Sequence, residues 1–566
     1  MVRNLLVLLL VLTCLFSNEK VVSVGGNVYF ENEFFEFYPK SEWERIKTHQ
    51  KERILNDFIR KKTAVLEAKE QHFLENPRTA IKLRNRGDFL FVNKTYEKLV
   101  ALPLVPLEYI ELGKKYILKD LNISHILIGF NGTEMGGDFN RNKIEAYELA
   151  SELLSKMGDS FNFDSLALSF SDDPGVTGNK GNLGWISWGK VDPDFQKEVF
   201  QLKKGDLSDP ILTKYGYHIV FIKDERASEA VGFPDEKLLE KVEFSSLGIV
   251  KNQLKEAADL HDKNLIDNIN FYFNEPVLDK LGSILNEHQK KITYMNNVDI
   301  VPVLKDYSGN DVIFIYNQKG YGVKWLINKL SKSSPSRRPS ITNSESLRLA
   351  IKTLILQVLA IERGKTHKLN ASYGYQAQYS GIEGEILYDA YVRHLVNNAP
   401  EPTDEDIKAY YEKYKETKYK EPERFSVFNL KVKRQKLADS LFVEIQKGGD
   451  FFSLAKSFSI LSPKKSGKMQ PFDKTKNKDI VKALKNINTG NYSKVFKTRD
   501  NKWSIIYFET MLPEEIIEYD KVKNRIKTAL TKENQDSHKE DTFNNLKEKY
   551  NVTINSNFFT TQEEIN

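Results

Sequence analysis

The sequence of 566 residues holds one cysteine, Cys14, and only six methionines. A lone thiol closes no disulfide within the chain, and Cys14 sits in an apolar run near the N-terminus. The body of the protein therefore has neither a stapled framework nor a thiol nucleophile. Two other hydrolase signals are absent, the paired-histidine zinc helix His-Glu-x-x-His and the serine elbow Gly-x-Ser-x-Gly. No metal and no cofactor is expected. A dominant charge is lacking as well: 84 Lys and Arg face 78 Asp and Glu, a net +6. That balance describes a solvated surface rather than a phosphate-binding one, and basic runs such as Lys464-Lys465 are short. Nucleic acid is excluded as a partner. Beyond the N-terminus no stretch approaches the 18 apolar residues of a membrane-spanning helix.

The N-terminus itself is informative. Met1-Val2-Arg3 precedes an unbroken apolar run, Leu5 to Leu12, that continues through Cys14 to Phe16. One positive charge followed by about a dozen apolar residues predicts a secretory signal over residues 1–17 and an exported protein, periplasmic in a cell with two membranes. Membrane attachment has two open routes, retention of the signal as an anchor or lipidation of Cys14. Thr13 fits poorly in the small-residue position that lipidation requires. At about 150 residues per domain the remaining length predicts three to five units.

The chain repeats itself. FDSLALSFS (163–171) and FFSLAKSFS (451–459) agree at seven of nine positions. Other segments pair in the same order: residues 25–39 with 318–330, 53–73 with 347–369, and 105–117 with 402–415. The second of these pairs carries apolar residues at helical spacing, Ile54, Phe58, Val65 and Leu66 against Leu349, Ile351, Leu354, Ile355 and Val358. The third begins with proline and acids and ends with lysines, as a helix dipole favours. A helical segment followed by a compact α/β module is the repeated plan. SKSSPSRRPS (331–340) reads as a loop, and 513–566 as one long helix followed by a strand.

Within the first module, the strings SHIL (124–127), SDDPG (171–175), GNLGW (181–185), VDPDF (191–195), KKGDLSDPI (203–211) and YGYHI (215–219) keep their order over about 105 residues. The run resembles the parvulin, or PpiC-type, peptidyl-prolyl cis-trans isomerases. That resemblance implies a four-stranded antiparallel sheet surrounded by helices. It also implies a catalytic set of His125, Asp173, His218 and Thr213, and a proline pocket of Leu183, Val191 and Phe195. Met is commoner than Val at the Val191 position, and a slightly long loop at 175–180 bears on the placement of Asp173. Trp185 and Tyr217 are candidates for the substrate groove, with a packing role as the equal alternative. His72 and His367 read as ordinary structural residues, and Gly178, Gly181 and Gly184 as tight turns of positive φ.

In the second module, Phe428 or Asn429 stands where His125 does and Ser504 where His218 does, while SGKMQPF replaces the glycine-rich loop. The second module is read as a degenerate parvulin-like domain for binding or architecture. The whole chain resembles exported foldases of the SurA, PrsA and PpiD kind, an α+β multidomain class with a mostly helical chaperone core. The expected divisions are 18–118 (helical), 119–226 (isomerase), 227–285 (helical linker), 286–418 (helical), 419–512 (degenerate module) and 513–566 (completing the core). The implied function is prolyl isomerisation and chaperoning of unfolded, proline-containing exported polypeptides, outer-membrane precursors among them. The alternative is a non-enzymatic holdase whose modules only grip peptide.

Overall fold

The computed structural model describes residues 19–157, 162–290, 299–305, 307, 311–461, 467–485 and 487–559. The apolar N-terminal run with Cys14 lies outside the described residues. The chain divides into two compact units, residues 1–391 with 545–566, and residues 392–544.

The first unit opens on a hairpin of β1 (Lys20–Val24) and β2 (Asn27–Phe30). Its turn is Gly25-Gly26 with φ of +57° and +81°, the left-handed pair that a two-residue hairpin of matching twist requires. Helix α1 (Thr48–Glu70) lays Leu55, Phe58 and Ile59 against Val22, Phe34 and Trp43. His72 then takes a left-handed conformation and a short 3₁₀ turn follows, Phe73–Glu75. Helix α2 (Pro77–Tyr96) starts where the Asn76 side chain accepts the Arg78 N–H and Pro77 presets the first turn. The C-terminal strand Thr553–Ile554 pairs with β1, so both ends of the described chain meet in one sheet.

The repeat extends to backbone detail. A second hairpin turns at Asn317-Gln318, again with two positive φ values, +47° and +63°. The helix Ser344–Thr366 stops at left-handed Lys368, passes through the 3₁₀ turn Leu369–Ala371 and resumes as Tyr373–Asn397, as α1 and α2 do around His72. His72 thus has a turn-forming role. The stretch expected to be a helical linker carries helices at Asp235–Ser246, Leu254–Asp267 and Glu275–Lys290, and Phe271–Phe273 adds a strand beside Val312–Tyr316.

Helix α3 (Leu107–Tyr116) leads into the first module's sheet, β3 (Lys119–Ile128), β4 (Asn182–Ser187), β5 (Ile211–Thr213) and β6 (Gly216–Ala227). The order is β4-β3-β6-β5 and every pairing is antiparallel. One face packs on α4 (Lys143–Ser155) and α5 (Phe163–Phe170) through Ile126, Ile128, Ala150, Leu153, Phe163 and Ile219. The other face gathers Leu121, Ile123, Val220 and Ile222 with Phe195 and Val199 of α6 (Pro193–Val199). Tyr109 and Tyr116 of α3 and Val242 of α7 (Asp235–Ser246) close that same core. The apolar face is therefore sealed by helices lying on both sides of the 119–226 bounds expected from sequence, and the first part of the linker is a wall of this module.

In the second unit, β7 (Arg424–Val432), β8 (Phe472–Asp473), β9 (Phe496–Lys497) and β10 (Trp503–Leu512) repeat the order as β8-β7-β10-β9. Helices α8 (Gln435–Gln446), α9 (Phe451–Phe458) and α10 (Lys478–Leu484) accompany them.

Candidate active site

The site lies at the middle of the first sheet. Strands β3 and β6 pair so that Leu127 faces His218 and His125 faces Val220, which sets the two histidines diagonally across the ladder. Their rings lie nearly parallel at 5.4 Å, with the two Nδ1 atoms 3.2 Å apart. Both are only 6% exposed.

The segment after α5 brings in the carboxylate. Ser171 Oγ accepts the Leu127 N–H at 3.1 Å, and the Asp172 N–H donates to the Leu127 carbonyl at 2.7 Å. Asp172 in turn accepts from the Gly129 N–H and from Arg141. Held by this strap along β3, Asp173 places Oδ2 2.7 Å from His125 Nε2 and accepts the Gly175 N–H on Oδ1 at 2.8 Å. On the far side, His218 Nε2 lies 2.8 Å from Thr213 Oγ1.

Hydrogen bonding then orders the protons. The His125 hydrogen bond holds the Asp173 carboxyl below its usual range, with the Gly175 N–H helping against partial burial. Burial, with the second imidazole alongside, pushes His218 down to about 3. With both imidazoles neutral, His125 Nε2–H donates to the ionised Asp173, His125 Nδ1 accepts, and His218 Nδ1–H donates to it. His218 Nε2 must then accept, which turns the Thr213 hydroxyl toward it. Thr213 Oγ1 meanwhile accepts the Tyr215 N–H at 3.1 Å. Four side chains thus form one directional chain from Thr213 to Asp173, with each buried polar group satisfied.

Asp192 caps α6 by accepting the Asp194 and Phe195 N–H groups. The cap aims the Phe195 ring edge-on at both imidazoles, 5.0 Å from His218 and 6.5 Å from His125. Leu183 and Val191 pack on the same core. The structure therefore brings His125, Asp173, His218, Thr213, Leu183, Val191 and Phe195 to one face. Tyr217 is on the opposite face, because neighbours on a strand point to opposite sides. It packs against Tyr147 and Phe130. Trp185 lies under the Arg226 guanidinium at 4.3 Å, at the far end of β6 from His218. Tyr217 is therefore a packing residue of the other face, and Trp185, an exposed ring, stands away from the histidines. Gly181 and Gly184 have φ of +77° and +70°, but Gly178 is helical.

Ser171 and Gly181 were not singled out by sequence as site residues. Gly181 accepts the His125 N–H, and a Cβ there would sit 2.5 Å from the His125 carbonyl oxygen. The signal available was the repeated phrase itself, since FDSLALSFS ends on Ser171.

Comparison with known proteins matches residues 110–226 and residues 402–524 each to a PPIC-type PPIase domain. The chain carries two PPIC-type PPIase domains. The chain is 34% identical over 125 residues to a foldase protein PrsA of Geobacillus, covering 21% of this chain and 45% of that one. It is 33% identical over 116 residues to a chaperone SurA of Chromohalobacter salexigens, covering 20% and 25%. The matched region spans less than half the length of these relatives. Among solved structures, one of SurA-like chaperones from Campylobacter jejuni aligns with 22% identity, 41% of this chain, 94% of that chain and a TM-score of 0.26.

The second PPIC-type domain can be aligned with the first by hydrogen bonds alone. The Asn429 N–H donates to Gly467 O at 2.8 Å, as the His125 N–H donates to Gly181 O at 2.8 Å. Gly467 has φ of +79°, beside +77° for Gly181. Ser459 Oγ accepts the Lys431 N–H at 3.1 Å, the counterpart of Ser171 and Leu127. Ser493 accepts the Ile506 N–H as Ser208 accepts the Val220 N–H, both at 2.8 Å. These anchors put Asn429 at the His125 position, excluding Phe428. They put Ser504 at that of His218, Leu461 at that of Asp173 and Thr498 at that of Thr213. Asn429 and Ser504 are too short to bridge as the histidines do. Asn429 Oδ1 and Ser504 Oγ are buried without a partner.

Proposed function

We propose that the chain is a peptidyl-prolyl cis-trans isomerase and folding chaperone for exported, unfolded polypeptides, with the isomerase activity in the first PPIC-type domain. The observation that carries this reading is the Asp173–His125–His218–Thr213 chain beside Phe195. An X–Pro bond turns over a barrier of about 18–20 kcal/mol, and nothing is cleaved, so neither nucleophile nor metal is required. A catalyst has only to hold the ring and favour the twisted amide over both planar forms. Twisting breaks the amide resonance, which makes the nitrogen more basic and the carbonyl less polar. The fixed charge of Asp173 and the ordered dipoles behind it supply a field suited to that change, already oriented before substrate arrives. Phe195, Leu183 and Val191 offer the apolar seat for the ring.

The export reading rests on residues 1–17. Among the described residues no helix is long and apolar enough to cross a membrane. A grip without catalysis is the reading favoured for the second domain, where Leu461 replaces the carboxylate and neither histidine is present.

The test is exchange NMR on an X–Pro peptide with the full chain, beside a His125→Ala/Asp173→Ala double variant. Acceleration lost in the variant is expected. A full chain that binds the peptide without accelerating exchange would leave a holdase.

A further inference from the structure

Phe195 owes its place to α6, and α6 is held from outside the sheet. Gln196, the next residue, is 1% exposed, and both ends of its side chain are used. Its Oε1 accepts the Gly189 N–H at 2.7 Å, and its Nε2 donates to the Tyr109 hydroxyl of α3. Tyr109 is itself 3% exposed, and burial raises its hydroxyl to about 12, so it stays a neutral hydrogen-bonding group. Behind it, Trp188 lies 5.5 Å from Tyr109 and 5.7 Å from Tyr116.

Helix α7 clamps this assembly from the other side. A Cβ on Gly113 of α3 would come 2.7 Å from Val242, and one on Gly189 would come 2.4 Å from Ser245. Two glycines therefore permit the close approach of α7 to α3 and to the turn before α6. The opposite flank of α7 carries Glu240 and Glu243, which pair with Lys94 in α2 and with Lys98 just beyond it. Lys94 is 3% exposed, so this is a buried ionic joint and not a surface pair. Contacts are continuous from α2, through α7 and α3, to Gln196 and the Phe195 ring beside the histidines.

We infer that Tyr109 is a positioning residue for the proline seat, fixing α6 through Gln196 and tying the isomerase site to the helical part of the chain. The inference rests on the reading that this site handles X–Pro peptides. The helices that carry it lie outside the 119–226 module, so the seat is completed by residues of the flanking helices. Tyr109 touches no substrate. Its effect is on where Phe195 stands, and so on how well the ring is held in ground and transition states alike, which alters KM rather than kcat.

The experiment uses the full chain with Tyr109→Phe, which keeps the ring and removes only the hydroxyl, and measures KM, kcat and direct peptide affinity by NMR titration and exchange. KM is expected to rise about threefold to tenfold with kcat within about twofold, and the ring signals of His125 and His218 to shift as Phe195 moves. Gln196→Met, of similar length but unable to make either hydrogen bond, is expected to give the same split and serves if the first variant does not fold. Wild-type KM, kcat and affinity in a folded variant would overturn the inference. If the unaltered chain accelerates nothing, the isomerase reading fails on its own. Peptide affinity then decides: weaker binding in either variant supports the positioning role, and equal binding removes it.

Discussion

Lowering the pH from 7 to 5 is expected to weaken the first PPIC-type domain through one residue. His218 is 6% exposed and its imidazole is pushed from 6.5 down to about 3, chiefly by burial. The unfolded chain takes up a proton there as the pH falls through 6.5, while the folded chain refuses it until about 3. Protons therefore favour the unfolded state throughout that window, and stability rises with pH. The slope is about 1.4 kcal/mol per unit once the pH is well below 6.5, or about 2 kcal/mol between pH 7 and 5. Asp173 acts with the same sign, but only below its ordinary 3.8, so the window from 7 to 5 isolates the histidine. A urea titration read from the amide signals of Ile126 and Ile219 measures the loss in this domain, with His218→Gln as the reference that cannot titrate. The wild type is expected to lose about 2 kcal/mol more than the variant, with the His218 ring signal unchanged over the range. Parallel losses, or a His218 signal titrating near 6.5, would refute the buried neutral imidazole and the proton order built on it.

Other expectations follow from the packing. Gly181→Ala forces a side chain into a left-handed position and against the His125 carbonyl, so about 2–4 kcal/mol should be lost in a denaturation series. Gly175→Ala, at ordinary φ, should cost less than about 1 kcal/mol. Lys94→Ala removes the buried cation from Glu97 and leaves Glu240 with Lys98 alone, and is expected to lower stability by about 1–3 kcal/mol in a denaturation series. Residues 119–226 expressed alone would expose Trp188 and Phe200, whereas 105–252 would cover them, and tryptophan emission should be red-shifted in the shorter fragment only. Asn429→His with Ser504→His should not confer isomerase activity on the second domain, because the carboxylate position is Leu461; exchange NMR checks this in a His125→Ala background.

The strings that carried the family resemblance also carried most of the site. SHIL, SDDPG, VDPDF and YGYHI name residues whose chemistry depends on identity, so they survive as readable text. Leu183, Val191 and Phe195 were legible only through that resemblance, since an apolar residue reads the same in any core. Tyr217 and Trp185 could not be placed from sequence for a geometric reason: adjacency to His218 in YGYHI means opposite faces of a strand, and proximity in sequence says nothing of which end of a sheet is used. Tyr109 and Gln196 carried no signal at all. Their meaning is a contact across 87 positions, and only the folded chain creates it. The part that α3 and α7 play in closing the module was hidden likewise, because both look like any amphipathic helix until their buried faces are seen against Trp188.

The duplicated phrase shows what each copy needs. FDSLALSFS and FFSLAKSFS both end on a serine whose Oγ accepts an amide of the first sheet strand, Leu127 in one and Lys431 in the other. The left-handed glycines at 181 and 467 accept the equivalent N–H groups. Thr213 and Thr498 stand at the same place, and the buried serines 208 and 493 brace the same strand. At the proposed catalytic positions His125, His218 and Asp173 give way to Asn429, Ser504 and Leu461, and the strand after the glycine shortens from Asn182–Ser187 to Phe472–Asp473. A frame can be kept by backbone hydrogen bonds and small residues while the charge and imidazoles change independently, because those side chains are not what holds the strands in register. Orphaned Asn429 Oδ1 and Ser504 Oγ carry the cost of that exchange, since burying a polar atom without a partner is unfavourable. The second copy therefore preserves the scaffold of a prolyl site without the means to polarise the bond. On the proposed reading, such a domain would hold polypeptide while the first domain twists the X–Pro bond.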